Sequence, residues 1–101
     1  MSETAAIKGL PSGAIPIGEV TNFFTNKLVA AVKILPEEKL EIGDEILFFR
    51  KDMDDWESMK VTSLHMDREP ISIAKGGDHV GVLTGIPVGR RTTIYRKPQP
   101  S

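Results

Sequence analysis

Leu28, Ala30, Val32 and Ile34 stand at every second position of one segment, and no stretch of the chain repeats apolar residues at the three-to-four spacing of an amphipathic helix. A period of two places those four side chains on one face of a strand, because successive strand residues point to opposite sides. The other face of the segment carries Val29, Ala31 and Lys33, which suits a strand in a small barrel or under a loop. Ile46-Leu47-Phe48-Phe49 is apolar on both faces and too short for a helix, as expected of a strand buried on both sides. Together with other runs rich in Val, Ile, Phe and Thr, this predicts strands over residues 15–22, 27–34, 45–50, 56–66, 79–84 and 92–97. Pro36, Gly43-Asp44, Gly76-Gly77-Asp78, Pro87 and Gly89 punctuate the intervals, since Gly supplies positive φ and Pro cannot donate to a ladder. The expected fold is all-β, a single closed β-barrel of about six strands over residues 14–98, with a flexible arm at 1–13 and a short tail at 99–101.

At 101 residues the chain has room for one domain. With no cysteine it has no disulfide, no thiolate metal site and no cysteine nucleophile. Its net charge of −1 provides no global field for nucleic acid, so any such contact needs a local patch. The charge is segregated along the chain. Residues 37–57 hold nine acids and three bases, whereas residues 86–101 hold four bases and no acid. The first twelve residues lack the charged start and apolar run of a signal peptide, and no apolar run is long enough to span a membrane, so a cytoplasmic location is expected.

Four segments occur in a suggestive order: Ile17-Gly18-Glu19-Val20, Leu40-Glu41-Ile42-Gly43-Asp44-Glu45-Ile46, Val61-Thr62-Ser63-Leu64-His65-Met66 and Ala74-Lys75-Gly76-Gly77-Asp78-His79-Val80-Gly81-Val82-Leu83. In that order and spacing they resemble the second domain of translational GTPases, the β-barrel of elongation factor Tu, over residues 15–97. Similar small barrels stand alone as elongation-factor-like proteins and at the C-terminal end of some collagenase-type peptidases. The resemblance implies a free-standing barrel that contacts RNA or the ribosome. The chain has no G-x-x-x-x-G-K-[ST] phosphate loop, so neither nucleotide binding nor GTP hydrolysis is expected. In the translation factors an acidic residue follows the strand resembling residues 61–64 and a basic residue follows the Gly-Val-Leu run; here His65 takes the first position and the shorter Leu83-Thr84-Gly85 lacks the second.

The residues themselves offer little catalytic chemistry. Asp52, Asp54, Asp55 and Glu57 surround Trp56 without the glycine and distal glutamate of a calcium loop, and read as a solvated hairpin tip. His65 and His79 are the only histidines, short of the three or four ligands of a zinc site. Ser63 sits within a predicted strand, with no nucleophile elbow around it. No enzyme activity, metal or cofactor is therefore expected, and a binding module remains. Contact with RNA would use Arg90, Arg91, Arg96 and Lys97 with Tyr95 as a stacking surface. The alternative is a protein adaptor that docks through Phe23, Phe24 and Trp56.

Overall fold

Ten strands and no helix make up the described part of the chain, residue 10 and residues 13–97 of the computed structural model. The expected arm and tail lie almost wholly outside the described residues. The strands are β1 (Ile15–Phe24), β2 (Val29–Ile34), β3 (Lys39–Glu41), β4 (Glu45–Arg50), β5 (Asp55–Lys60), β6 (Leu64–Met66), β7 (Glu69–Ile71), β8 (Ile73–Lys75), β9 (His79–Leu83) and β10 (Thr93–Arg96). Eight form one antiparallel sheet in the order β5-β4-β10-β1-β2-β9-β6-β7, and β3 pairs with β8 in a separate ribbon.

The all-β class holds, but the closed barrel does not. β5 and β7 are the edges of the large sheet, and no ladder joins them among the described residues. Isolated corner bonds span the gap instead. Gly43 and Val61 bond through Gly43 N–H to Val61 O and Val61 N–H to Asp44 O, each 2.8 Å, and Ile42 N–H donates to Ser72 O at 3.0 Å. The six expected strands also become ten. The run expected at 56–66 divides into β5 and β6 because Val61 turns inward to meet Gly43 and Asp44. β3, β7 and β8, at three residues each, are too short to display a period.

The core collects Ile17, Ile34, Leu40, Ile46, Phe48, Leu64 and Ile94, all at most 1% exposed. Leu40 and Ala74 bring the β3–β8 ribbon onto this core. In β2 the buried face is Ala30, Val32 and Ile34. Leu28, expected on that face, has φ 56° in the β1–β2 turn, where its amide donates to Phe24 O at 2.8 Å. Gly18 sits where β1 presses on β2. A Cβ there would lie 2.7 Å from Val32 Cγ1, closer than packed carbon atoms approach. The ladder slips on either side of it, between Pro16 and Gly18 against β10 and between Val20 and Asn22 against β2, which bends the strand.

Two strand–turn–strand units repeat the same local chemistry. Asp44 Oδ2 accepts from Glu41 N–H and Asp78 Oδ2 accepts from Lys75 N–H, both at 2.9 Å. Gly43 at φ 99° and Gly77 at φ 88° precede these aspartates, and β3 of one unit pairs with β8 of the other. The shared turn is closed by a short carboxylate that reaches back to the amide three residues before it.

Candidate functional site

The β4–β5 hairpin pairs Phe49 with Trp56 and Arg50 with Asp55, and β10 lies on the other side of β4 with Tyr95 opposite Leu47. Alternation then places Leu47, Phe49, Trp56 and Tyr95 on one face, turned away from the core. Phe49 and Trp56 meet edge to face at 5.5 Å between centroids and 76°, and Trp56 and Tyr95 at 5.7 Å and 72°. This is the favoured geometry for aromatic quadrupoles. Leu47 is only 4% exposed although it lies outside the core cluster. The three rings and Leu47 share the outer side of the sheet as a small second apolar cluster.

Beside these rings lie two adjoining depressions. A cleft of about 170 Å³ is lined by Phe49, Trp56 and Tyr95 with Lys51, Arg91 and Thr93. A cavity of about 400 Å³ opens next to it, and its lining includes Phe49, Arg50, Lys51, Asp52, Arg90 and Thr92. Phe49, Lys51 and Thr92 belong to both. The adjacent arginines thus serve neighbouring spaces, Arg91 the smaller and Arg90 the larger. Their turn is tied to β1: Arg91 N–H donates to Val20 O at 2.7 Å and Val20 N–H donates to Thr92 O at 2.9 Å. Arg91 holds φ 69°, a left-handed conformation that costs a non-glycine residue about 1–3 kcal/mol.

The charges near the rings divide into paired and free. Arg50 grips Asp52 in a fork, Nη2 to Oδ2 at 2.8 Å and Nε to Oδ1 at 3.3 Å, and reaches Glu57 at 3.5 Å. The side-chain hydrogen bond from Arg50 holds the Asp52 carboxyl below its ordinary value, and the same bond raises Arg50. Among the described residues Lys51, Arg90 and Arg91 form no ion pair, and neither do Asp54 and Asp55 at the hairpin tip, while the Asp52 and Glu57 carboxylates are engaged by Arg50.

The RNA set expected from the sequence is split. Tyr95 and Arg91 share the cleft, and Arg90 lines the adjoining cavity. Arg96 follows Tyr95 and points to the other face, donating to Lys39 O at 2.9 Å and pairing with Glu38 at 3.2 Å. Lys97 stands 3.9 Å from Glu45 and donates its amide to Glu45 O. These last two stand against acids from distant segments of the chain. The protein-docking set is split as well. Phe23 packs against the core, Phe24 is 48% exposed, and Trp56 is on β5 at the far edge of the sheet. Phe24 instead continues through Val29 to Leu83 as an apolar row across β1, β2 and β9. His79 Nε2 lies 2.8 Å from Thr21 Oγ1, and His65 Nδ1 lies 3.4 Å from Ser63 Oγ. No three His, Asp or Glu side chains among the described residues are placed to hold one metal ion. No helix of the described chain is long and apolar enough to cross a membrane.

Sequence reasoning does not single out Phe49 and Lys51. A hairpin centred between Asp52 and Met53 pairs Phe49 with Trp56, since the register sets Arg50 against Asp55, and that spacing is the signal that could have found them.

No family model matches the sequence, and no curated protein sequence matches it. Among the solved structures that match its fold are two of the C-terminal domain of a Geobacillus thermoleovorans U32 peptidase. The selenomethionine variant aligns at 17% identity over 81% of this chain and 98% of its own, with a TM-score of 0.70. The second aligns at 14% identity over 82% and 92%, with a TM-score of 0.71. At this identity the likeness establishes the fold alone. It corrects the resemblance to the translational GTPase barrel, and the expectation of a translation factor falls with it. The reason is local. Gly43-Asp44 and Gly77-Asp78, which carried much of that resemblance, build a turn that any pair of strands can use.

Proposed function

We propose that the protein is a non-catalytic binding module that holds single-stranded RNA on the outer face of β5, β4 and β10. The supporting observation is the joining of Phe49, Trp56 and Tyr95 with Lys51 and Arg91 around one cleft. Bases offer π-faces to aromatic side chains, and each stacked base contributes about 1–3 kcal/mol. Cations beside the rings neutralise the phosphates between bases. The sheet is a rigid support, so the protein loses little ordering entropy when a strand of RNA lies on it.

Trp56 is the only tryptophan, so its fluorescence reports directly on the cleft. Titration with a labelled hexa-adenylate should quench it, with affinity falling as salt rises, and Tyr95→Ala should weaken binding at least fivefold. The absence of saturable binding at low salt by folded protein would overturn this reading.

A protein adaptor is the second reading. It draws support from the exposed row Phe24–Val29–Leu83 and from the likeness to a domain that ends a larger peptidase. It predicts partner capture that is insensitive to salt and lost in Phe24→Ser, with Tyr95→Ala unchanged.

A further inference from the structure

The two edges of the large sheet differ. β7 is three residues long with Pro70 at its centre, and it follows Asp67 and Arg68, both at positive φ, so it offers little that another strand could join. β5 runs six residues in unbroken register with β4 and has neither proline nor bulge. The register also fixes which of its backbone groups face outward. Val61 N–H donates to Asp44 O, one step beyond the Lys60–Glu45 pair, and hydrogen-bonded pairs alternate along an antiparallel ladder. Asp55, Glu57 and Met59 therefore bond to β4, whereas Trp56, Ser58 and Lys60 direct their backbone away from it, where no strand lies among the described residues.

From this edge we infer that β5 pairs antiparallel with β5 of a second copy about a two-fold axis at Ser58, joining two sheets into one. The strand's own order selects a second copy as the partner. Centring the axis on Ser58 sets Lys60 against Trp56 of the second copy on the outer face and Glu57 against Met59 on the inner face. The ammonium then meets the indole in a cation–π contact, and no like charges are opposed. Centred on Glu57, that carboxylate would face itself; centred on Trp56, Asp55 would face Glu57; centred on Met59, the overlap shrinks and Lys60 meets only Ser58. The acids at one end and Lys60 at the other, which discourage pairing with an unrelated edge, thus fit an inverted copy of the same strand. Trp56 N–H donates to Asp55 Oδ1 at 2.7 Å, so the pairing is carried by Ser58 against its own copy and by Lys60 N–H against the Trp56 carbonyl. Pairing of this kind needs no RNA, and it sets the Phe49, Trp56 and Tyr95 rings of both copies on one continuous outer face.

Sedimentation equilibrium of the full chain over a concentration series, without RNA, should show monomer and dimer with no larger species, since a two-fold pairing is closed. Ser58→Pro should weaken the dimer by about a hundredfold or more, because it removes the central donor on each side. The same variant should keep its far-ultraviolet spectrum, as the Ser58 amide faces away from β4. Lys60→Glu should weaken the dimer about tenfold, because a carboxylate is repelled by the ring face. Ser58→Cys, in a chain without cysteine, should cross-link under mild oxidation much faster than Thr25→Cys in the exposed β1–β2 turn. Directly opposed residues of a hydrogen-bonded antiparallel pair have Cα atoms about 5.5 Å apart, within disulfide reach. A monomer at every concentration up to millimolar, or a dimer undiminished in folded Ser58→Pro, would overturn the pairing. Cross-linking of Ser58→Cys no faster than that of Thr25→Cys would do the same.

Discussion

Trp56 and Tyr95 meet edge to face at 5.7 Å although their strands are not neighbours, since β4 runs between β5 and β10 and carries Leu47 on the same side. The two rings line the cleft proposed for RNA, on the face of the sheet that also carries Leu47.

Because the rings touch, their contributions to stability should be coupled. A double-mutant cycle on Trp56→Ala and Tyr95→Ala, read from urea unfolding, should give an interaction of about 0.5–1.5 kcal/mol. A value near zero would mean that the rings are independent.

The four basic residues near the C-terminus should separate into two kinds. Arg90→Ala and Arg91→Ala should lower RNA affinity and flatten its dependence on salt by about 0.7 in logarithmic slope for each phosphate no longer neutralised. Arg96→Ala should instead lower stability, because it leaves Lys39 O without its donor and Glu38 without its partner, with RNA affinity retained. Equal loss of affinity in all variants would point to a diffuse electrostatic effect.

Arg91→Gly distinguishes backbone strain from charge. The left-handed φ of 69° favours glycine, so this variant should be at least as stable as the parent while binding RNA more weakly. Thermal unfolding and Trp56 quenching on the same samples check both halves.

Gly18→Ala should destabilise by about 1–3 kcal/mol, because the new methyl group would sit 2.7 Å from Val32 Cγ1 and 3.0 Å from Lys33 O, the second of which is backbone. Gly18→Ala combined with Val32→Ala should recover only part of the loss, as the carbonyl remains. Denaturant midpoints of the three proteins measure this.

The Arg50–Asp52 fork has a defined pH signature. The folded pKa of Asp52 is depressed, so its contribution is present above the ordinary aspartate range and is lost as pH falls through the lower folded value. The stability advantage of the parent over Asp52→Asn should therefore be visible at neutral pH and vanish in acid. It should be small, because the Asp52 side chain is 64% exposed and solvent screens the pair.

Alternation identified β2 and its buried face Ala30, Val32 and Ile34, and a short run apolar on both sides identified β4, since the direction of a strand side chain is a property of the chain's own geometry. The turn residues likewise marked where strands end: Asp44 and Asp78 bond to backbone three positions away, so nothing distant is needed. The short strands β3, β6, β7 and β8, of three residues each, carry no period of their own and exist because a partner lies beside them. Whether the sheet closes was decided in the same way, by which edge meets which. The basic segment shows the same division on a smaller scale. Its four cations were plain in the sequence, but Arg96 found Glu38 and Lys97 found Glu45 across the fold, while Arg90 and Arg91 were held on a turn beside rings contributed by β4, β5 and β10. Local order determines which way a strand residue points, but the charges and rings that gather around it come from distant segments, and only the packed chain brings those together.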